Sequence, residues 1–495
     1  MPALQPLWSV AEIRAVESHA GVGLMERAGW QAAQAALTLS ADGDILILAG
    51  PGNNGGDAFD ASAHLADAGR KVCIVQFGDL ARYPADAARA LERARASSAC
   101  FINTADIAQS DWSLVIDGLF GIGLTRAIAG ELRAAVEAVN RLGCPVLSLD
   151  VPSGLDADTG VIVGPEGVTV HATHTITFIG DKPGLHTGFG RDYAGAVQVA
   201  PLGIDAGMFP PARAWLSAPD AWADCLAPRA QNSHKGSYGN VSVLGGAHGM
   251  AGAVILSARA AARCGAGRVF AGFIDAVPSY DTAQPELMCR AAAMLDLSAT
   301  TVVAGPGMGS SAMALQLLEN VLQAPGPLVL DADALNLLAA HDDLHPALLA
   351  HGLSIITPHP LEAARLSGAS VATIQTDRLA AARALALRFN AVVVLKGSGS
   401  VIAAPDGRCC INPTGNPGLA SAGTGDVLAG ICGALLAQHW PAWRAALGAV
   451  WLHGRAADVL VERGVGPIGL GAMELIPVVR ELLNELVRQR DELRS

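Results

Sequence analysis

The feature that most constrains the fold is a recurring unit of a short apolar run, a turn rich in glycine and polar residues, and a helical segment. The first example is "DILILA" (44–49), which leads directly into "GPGNNGGD" (50–57) and then into "AFDASAHLADAG". A buried strand, a polar turn and a helix form one unit of a parallel α/β sheet. Ligands of such sheets bind at the carboxyl ends of the strands. The sequence therefore predicts an α/β fold with binding sites along strand ends.

The same unit recurs through the first half of the chain. A helix over 9–39 with a break at 21–23 is expected to precede the first strand, with Ser9 as its N-cap. Further strands are predicted at 71–77, 112–117, 145–150 and 173–180. The strand ends bring several polar side chains to one rim, namely Asn53, Asn54, Asp57, Asp117, Asp150, Ser153 and Lys182. Each could be a cap or turn residue, but the cluster of oxygens could also ligate a hard cation.

A second set of strands begins after an irregular stretch. Residues 205–231 lose the period and are rich in proline and alanine, so the domain boundary is predicted here, giving domains 1–215 and 216–495. Strands are then predicted at 240–244, 301–304, 327–330, 353–356 and 391–395. The last four lead into the turns "GPGMG", "DADALN", "TPHPLE" and "KGSGS". Together these turns predict a ligand groove along the strand ends.

The glycine-rich stretch at 412–430, "NPTGNPGLASAGTGDVLAG", indicates the chemistry of this groove. A glycine loop that opens a helix presents free N–H groups and the positive end of the helix dipole, which together bind anions. Asp426 stands beside that site as a base, an arrangement that suits phosphoryl transfer. The alternative is that Asp426 is only an N-cap after a flexible loop.

Composition excludes several classes of protein. The net charge is −12 and no long run of Lys or Arg occurs, which argues against general binding to nucleic acid or to anionic membranes. The nine cysteines are scattered and include no CxxC pair, so neither a disulfide framework nor a zinc site is expected. No signal peptide and no apolar run long enough to span a bilayer are recognised, and a cytoplasmic location is expected.

Four motifs of the first half resemble the NAD(P)H-hydrate epimerase family over residues 5–205: "GPGNNGGD", "DGLFGIGL", "DVPSGLD" and "TFIGDKPGL". The resemblance implies a Rossmann-like three-layer sandwich that interconverts the R and S epimers of hydrated NADH and NADPH at C6. It implies a potassium ion held by Asn54, Asp117 and Ser153. The implied substrate residues are Asn53, Asn54, Gly55, Gly56, Asp57, Gly121, Ile122, Gly123, Leu124, Thr125, Arg126, Ala127 and Asp150.

Asp150 is assigned to acid/base work near C6 because a carboxylate at a strand end can move a proton there. It could equally anchor a ribose. The sequence departs from the family after Asp57, where Ala58-Phe59-Asp60 replaces the usual glycine.

The second half resembles the NAD(P)H-hydrate dehydratase family, which has a ribokinase-like α/β fold, over residues 225–490. The motifs that carry the resemblance are "HKGSYG", "GPGMG", "DADALN", "TPHP", "KGS" and "AGTGDVLAG". It implies that the C6 hydroxyl of the S hydrate is phosphorylated by ADP, with magnesium, and that phosphate is then eliminated. It implies Asp426 as the base and an anion hole formed by Gly423, Thr424 and Gly425.

The same resemblance assigns the ligand contacts. The implied residues for ADP and AMP are Lys396, Gly397, Ser398, Gly399, Ser400 and Gly425, and those for the hydrate are Ala253, Gly307, His359 and Asp426. Leu361, His248 and Met250 depart from the residues usual in the family. His359 lies between two prolines and could instead brace the turn. His439 and His453 are expected to be structural, and 474–490 is expected to be an amphipathic helix.

Together the two resemblances predict a bifunctional enzyme, an isomerase and a lyase, that repairs hydrated NADH and NADPH and uses ADP. Its partners would be these small molecules, and a homo-oligomer is expected. One alternative is a ribokinase-like kinase of a vitamin precursor with an accessory nucleotide-binding domain. Another is a nucleotide-binding sensor without turnover.

Overall fold

The computed structural model describes residues 4–40 and 42–492. These residues form two compact units, one of which is Pro6–Ala214. The other contains the described residues from Trp215 onward together with Leu4 and Gln5, and within it the Leu216 N–H donates to the Gln5 carbonyl at 2.9 Å. Both units are α/β structures, so the fold class predicted from the sequence is confirmed.

The N-terminal unit (Pro6–Ala214) alternates strands and helices. Its strands are β1 (Pro6–Leu7), β2 (Ile45–Ala49), β3 (Val72–Gln76), β4 (Cys100–Phe101), β5 (Leu114–Gly118), β6 (Val146–Leu149), β7 (His174–Phe178) and β8 (Ala196–Ala200). Its α-helices are α1 (Val10–Glu17), α2 (Leu24–Leu39), α3 (Asn53–Asp67), α4 (Ala85–Ala96), α5 (Gly130–Val139) and α6 (Gly190–Tyr193).

The sheet of this unit has seven strands in the order β4-β3-β2-β5-β6-β7-β8. Its neighbouring strands are parallel. Every residue of β2 and β5 is buried, as expected for central strands covered by helices on both faces. The strand order reverses between β2 and β5, which is where ligands of doubly wound sheets bind.

The predicted break in the first helix is confirmed. Ser9 caps α1 through a capping box with Glu12, and α2 starts after Gly23, whose φ is +85°. A residue with positive φ ends one helix and redirects the chain into the next, and glycine adopts that conformation without a steric cost.

The predicted position of the helix after β2 is wrong. "GPGNNGGD" was expected as a loop up to Asp57, but α3 already starts at Asn53. The reason is close packing: a Cβ on Gly55 would lie 1.9 Å from the carbonyl oxygen of Gly50, and one on Gly56 would lie 2.5 Å from the Met25 Cε. The glycines therefore allow the first helical turn to lie against its neighbours rather than making a flexible loop.

The C-terminal unit begins with a short strand and continues with a second α/β series. Its strands are β9 (Ala214–Leu216), β10 (Asn240–Gly245), β11 (Arg268–Phe273), β12 (Met288–Ala291), β13 (Thr301–Ala304), β14 (Leu328–Leu330), β15 (Ser354–Ile356), β16 (Val392–Leu395), β17 (Val401–Ala403) and β18 (Cys409–Ile411). Its α-helices are α7 (Ala251–Arg263), α8 (Ala312–Leu322), α9 (Ala332–Ala340), α10 (His345–His351), α11 (Pro360–Ser367), α12 (Val371–Thr376), α13 (Arg378–Phe389), α14 (Thr424–Ala437), α15 (Ala442–Glu462) and α16 (Ala472–Glu492).

From β9 onward the strands lie in the order β9-β18-β17-β16-β15-β14-β13-β10-β11-β12. The pairs from β12 to β16 are parallel, whereas β17 is antiparallel to both of its neighbours, β16 and β18. Because β10 and β13 to β16 are parallel, their carboxyl ends and the turns that follow them share one edge of the sheet.

Helix α14 runs through the core of this unit. Every residue from Val427 to Ala437 is buried. Two glycines allow this depth: a Cβ on Gly430 would lie 2.1 Å from the Ser257 carbonyl oxygen on α7, and one on Gly433 would lie 2.4 Å from the Val303 Cγ2 on β13. Packing on both sides therefore fixes the N-terminal turn of α14, which carries Asp426.

Candidate active sites

A cavity of ≈ 620 Å³ opens in the N-terminal unit beside the ends of β2, β5 and β6. The predicted substrate residues that line it are Asn53, Asn54, Asp57, Gly121, Ile122, Gly123, Leu124 and Asp150. Five other predicted substrate residues do not line it, namely Gly55, Gly56, Thr125, Arg126 and Ala127. Gly55 and Gly56 are inside the first turn of α3, where their role is close packing.

Asp150 is held rigidly at the edge of this cavity. Its Oδ1 accepts from the Lys182 Nζ at 2.6 Å and its Oδ2 accepts from the Ile122 N–H at 2.9 Å. Lys182 is fully buried and also donates to the Thr177 Oγ1 at 2.7 Å and to the Phe178 carbonyl at 2.8 Å. Asp150 has a φ of +67°, a conformation that non-glycine residues adopt rarely and often at functional sites. Sequence analysis placed Lys182 at this rim without a role, and the structure places it beneath Asp150.

Asp117 and Ser153 meet behind the cavity. Asp117 is fully buried and accepts from the Ser153 Oγ at 2.6 Å, from the Ser153 N–H at 2.9 Å and from the Ser148 Oγ at 2.8 Å. Burial raises the pKa of Asp117, and the hydrogen bonds from Ser153 oppose the rise. Asn54 is also buried, and neither polar atom of its side chain has a hydrogen-bond partner among the described residues.

Helix α1 adds two residues to the cavity that sequence analysis missed, Arg14 and Glu17. The pKa of Glu17 is raised, first by burial and then by Asp150. The pKa of Asp57 is raised well above its ordinary value, again by burial first and then by Asp150. The cavity therefore contains a set of carboxylates close enough to influence each other. Nothing in the spacing of α1 signals this role, because it depends on where the helix packs.

In the C-terminal unit, Gly423 is the N-cap of α14, with φ +86°, and Asp426 lies inside the first turn. The alternative in which Asp426 is the N-cap is therefore wrong. The pKa of Asp426 is raised to about 6, chiefly by burial and next by the Asp331 carboxylate, while Lys396 lowers it. A carboxylate beside free helical N–H groups with a pKa near neutrality has the properties of a general base.

Lys396 faces the same helical turn. Its Nζ lies 2.7 Å from the Asp331 Oδ1 and 3.8 Å from the Glu362 Oε2. A Cβ on Gly425 would lie 3.5 Å from that Nζ, which places the ammonium group next to the N-terminus of α14. Burial lowers the pKa of Lys396, but the two carboxylates outweigh it and the pKa is raised, so the side chain is a cation at neutral pH.

His359 braces the turn after β15, as the alternative interpretation holds. It is the N-cap of α11, and its Nδ1 accepts from the Leu361 N–H at 3.1 Å and from the Glu362 N–H at 3.3 Å. Burial and, next, Lys396 lower its pKa. Contact of His359 with a ligand stays a prediction.

The remaining predicted residues form two local groups. A Cβ on Gly307 would lie 2.7 Å from the Met250 Cβ and 3.3 Å from the Ala253 Cβ, so Gly307 and Ala253 are neighbours. In the "KGSGS" turn, the Gly397 N–H donates to the Ser400 Oγ at 3.3 Å, and that hydroxyl donates to the Gly397 carbonyl at 3.1 Å. Ser398 and Gly399 lie between these two residues.

Sequence analysis gave no role to Asp331, Asp333 or Glu362. Asp331 accepts from the Thr357 Oγ1 at 2.8 Å, and Asp333 accepts from the Gly309 N–H at 2.8 Å. The sequence did contain an indication that these residues belong to the site, because all three lie in the turns "DADALN" and "TPHPLE", which follow strands. Glu362 pairs with His359 in its own turn, but the other partners, Thr357, Gly309 and Lys396, lie in turns that follow other strands, and only the strand order brings them together. Within residues 4–40 and 42–492, no group of three or more His, Cys, Asp or Glu side chains is arranged to hold a metal ion.

The departure at Ala58-Phe59-Asp60 lies inside α3. Asp60 is buried and accepts from the Arg93 Nε at 2.8 Å, and its Oδ2 lies 3.4 Å from the His64 Nε2. A Cβ on Gly29 would lie 2.5 Å from the Asp60 Cβ. Asp60 therefore ties α3 to α4 while glycine on α2 makes room for it, and it does not line the cavity.

Comparison with known proteins supplies the family. The family profile described as NAD(P)H-hydrate dehydratase matches residues 241–476, and the one described as YjeF-related protein N-terminus matches residues 22–184. A bifunctional NAD(P)H-hydrate repair enzyme of Coxiella burnetii is 38% identical over 491 residues, which cover 96% of this chain and 98% of the relative. This chain belongs to the family of bifunctional NAD(P)H-hydrate repair enzymes. The resemblance predicted from the sequence is confirmed.

Two further relatives match the dehydratase half of this family member. The ADP-dependent (S)-NAD(P)H-hydrate dehydratase of Neisseria meningitidis is 46% identical over 270 residues, which cover 52% of this chain and 90% of the relative. The crystal structure of the ADP/ATP-dependent NAD(P)H-hydrate dehydratase of Bacillus subtilis, co-crystallised with ATP and Mg²⁺, is 31% identical. It covers 54% of this chain and 97% of that chain, with a TM-score of 0.47.

Proposed function

We propose that this chain repairs hydrated NADH and NADPH. The N-terminal unit interconverts the R and S hydrates at C6, and the C-terminal unit converts the S hydrate to NAD(P)H with ADP as phosphoryl donor, giving AMP and phosphate. The observation that carries the proposal is the position of Asp426 in the first turn of α14, beside Lys396, in a chain whose relatives with this name match almost its full length.

In the C-terminal unit, the N–H groups of Gly423, Thr424 and Gly425 hold the migrating phosphoryl group, and Lys396 adds a positive charge. The C6 hydroxyl gives its proton to Asp426 as its oxygen bonds to phosphorus, and the bond from phosphorus to AMP breaks. The C6–O bond of the phosphorylated hydrate then breaks and its electron pair leaves with phosphate, while loss of a proton from the adjacent ring carbon restores the ring double bond of NAD(P)H. Lys396 to Ser400 and Gly425 bind ADP, while Ala253, Gly307 and His359 contact the hydrate.

Magnesium enters this site with ADP. Magnesium is commonly held through the phosphates of a nucleotide and one or two carboxylates rather than by a cage of protein ligands. The lack of a carboxylate or histidine cage in the described ranges agrees with that mode. Here the ion neutralises phosphate charge, and the protein positions the reacting groups.

In the N-terminal unit, Asp150 transfers the proton near C6. Its fixed bonds to Lys182 and to the Ile122 N–H aim the carboxylate at the cavity. A potassium ion fits the residues behind it: Asn54 has a buried amide without a partner in the described part, and Asp117 has a buried carboxylate. With Ser153 they would hold the ion, which neutralises the Asp117 charge and stabilises the turn that binds the nucleotide.

A cytoplasmic location and a homo-oligomer remain part of this proposal. Nine free cysteines support a reducing compartment. Among the described residues, no helix has both the length and the hydropathy needed to cross a membrane.

The test is incubation of the purified protein with hydrated NADH, with and without ADP, while NADH absorbance is followed. The S hydrate is expected to return to NADH only with ADP, and a mixture of both epimers is expected to be consumed completely. A vitamin-precursor kinase would leave the hydrate unchanged, and a sensor would bind ligand without turnover. Either result would overturn the proposal.

A further inference from the structure

Arg378 is a buried arginine with no role in the proposed chemistry. It is the first residue of α13 and only 2% of its surface is exposed. Arginine is almost never buried so completely unless its guanidinium is satisfied by fixed partners. The position of those partners therefore indicates which part of the chain Arg378 holds in place.

The partners of Arg378 include main-chain carbonyls at the start of the "KGSGS" turn. Its Nη2 donates to the Leu395 carbonyl at 3.2 Å and to the Lys396 carbonyl at 3.2 Å, and its Nη1 donates to the Gln375 Oε1 at 2.7 Å. A planar guanidinium presents several donors in a fixed geometry and can hold two successive carbonyls at once, which lysine cannot do in the same way.

The residue after Lys396 accommodates this contact. Gly397 has a φ of +140°, and a Cβ at that position would lie 2.9 Å from both the Nη1 and the Nη2 of Arg378. Any side chain at residue 397 would force the main chain and the guanidinium apart. Glycine at residue 397 is therefore what allows Arg378 to contact the turn.

Lys396 is consequently held from two sides. Arg378 fixes its main chain, and Asp331 fixes its ammonium group at 2.7 Å. Burial lowers the pKa of Arg378 to about 10, so the guanidinium is still protonated at neutral pH. A second positive charge thus lies beneath the turn, where it favours an anionic ligand.

We propose that Arg378 is a positioning residue for the nucleotide: it fixes the turn from Lys396 to Ser400 so that the ammonium group and the N–H groups of the turn meet the phosphates of ADP. This inference rests on the proposed function, because it takes ADP as the ligand of that turn. Arg378 is buried against the main chain of this turn and is not among the residues assigned to the hydrate, so its effect is expected to fall on the nucleotide.

The experiment compares Arg378→Ala, Arg378→Lys and Gly397→Ala with the wild-type chain. ADP binding is measured by calorimetry, the KM values for ADP and for pure S hydrate are measured separately, and thermal unfolding is recorded. Loss of charge-assisted hydrogen bonds is expected to weaken ADP binding about ten- to a hundredfold in Arg378→Ala. The KM for the hydrate is expected to stay within about twofold, less than the loss of one typical hydrogen bond, because Arg378 is not among the residues assigned to the hydrate.

Two further variants sharpen the result. Arg378→Lys is expected to recover part of the ADP affinity, because an ammonium group can still reach one carbonyl. Gly397→Ala keeps the arginine but separates it from the turn, and it is expected to weaken ADP binding in the same direction. The matched control is Arg388→Ala, on the same helix, where the Nη1 donates to the Leu366 carbonyl at 2.8 Å, and ADP affinity is expected to be unchanged.

Three results would overturn the inference. One is an Arg378→Ala protein that binds ADP as the wild type does. Another is an equal rise of both KM values together with a lower unfolding temperature, as a merely structural role predicts. The third applies if Arg378→Ala does not fold: the inference is then refuted if Arg378→Lys and Gly397→Ala both bind ADP with wild-type affinity. Absence of ADP binding in the wild type would instead refute the proposed function, so the two failures are distinguishable.

Discussion

At the scale of the residue, Asp426 is a candidate base whose pKa is raised to about 6, chiefly by burial. Replacing it with asparagine keeps the size and much of the polarity of the side chain but removes the base. Dehydration of the S hydrate is expected to fall about 10²–10⁴-fold. ADP binding and epimerisation are expected to change little. A wild-type rate of dehydration in Asp426→Asn would refute Asp426 as the base.

The pH dependence follows from the same residue. Its pKa is raised to about 6, and a base works only when it is ionised, so dehydration is expected to fall as the pH drops below about 6 and to level off above it. An ordinary aspartate would place this fall nearer pH 4. The measurement is kcat/KM for pure S hydrate against pH, with the residual rate of Asp426→Asn subtracted. No fall until about pH 4 would contradict the burial argument.

The raised pKa of Asp426 also predicts the direction in which Asp426→Asn changes the stability of the fold. A raised pKa in the folded state means that the ionised carboxylate destabilises the fold. This cost is full above about pH 6, declines as the pH falls below that value, and is absent below the ordinary aspartate pKa of about 4. At neutral pH the asparagine variant is therefore expected to unfold at the same temperature as the wild type or higher. Its loss of activity can then be assigned to chemistry.

Asp117 allows a test restricted to the N-terminal unit. Asp117→Ala removes a buried carboxylate that accepts from Ser148 and Ser153, and epimerisation is expected to fall. Dehydration of pure S hydrate is expected to stay near the wild-type rate. Epimerisation should also depend on potassium in the wild type but not in the variant. Equal loss of both activities would show that the assignment of Asp117 to the epimerase site is wrong.

At the scale of the element, apolar runs that lead into a polar turn predicted ten of the strands in the described part of the chain. Every strand predicted from a run begins and ends within two residues of the observed bounds. The strands β1, β4, β8, β9, β11, β12, β17 and β18 were missed. Length alone does not explain this, since β14 and β15 also have three residues and were predicted. β17 and β18 are strands because neighbouring strands pair with them. The start of α3 was mispredicted because a glycine-rich sequence favours a turn, whereas close packing against Gly50 and Met25 requires the same glycines in a helix.

The candidate site could be predicted less completely than the elements. Asp426, Lys396 and Asp150 follow strands or open helices, so their position in the sequence indicates an edge of a sheet. The pairing of Lys396 with Asp331 joins β16 to β14 across β15, and no local pattern contains that strand order. Arg14 and Glu17 reach their cavity through helix packing, which the sequence of α1 alone does not specify.

Packing of α14 gives a prediction for a single element. In Gly430→Ala the new Cβ would lie 2.1 Å from the Ser257 carbonyl oxygen, so α14 and α7 must separate. Overpacking of this kind costs about 1–3 kcal/mol. A lower unfolding temperature and slower dehydration are expected, with epimerisation unaffected. A matched control is Gly252→Ala on α7, where a Cβ would meet nothing within 4 Å.

At the scale of the whole molecule, the two units are expected to act separately. Truncated variants that end at Arg213 or begin at Trp215 should each keep one activity. The second variant has to keep residues 215–217, because Trp215 packs against the C-terminal core and the Ser217 N–H donates to the Ile411 carbonyl at 2.9 Å. Insolubility of both variants, with full activity of the intact chain, would show that the domains are interdependent.

The hydrogen bond between Gln5 and Leu216 bears on the order of the two units along the chain. Because these residues are neighbours in the C-terminal unit, the chain leaves that unit and returns to it at adjacent points. Pro6–Ala214 thus lies between two parts of the C-terminal unit. A single insertion or deletion between Gln5 and Trp215 is therefore enough to add or remove the whole N-terminal unit.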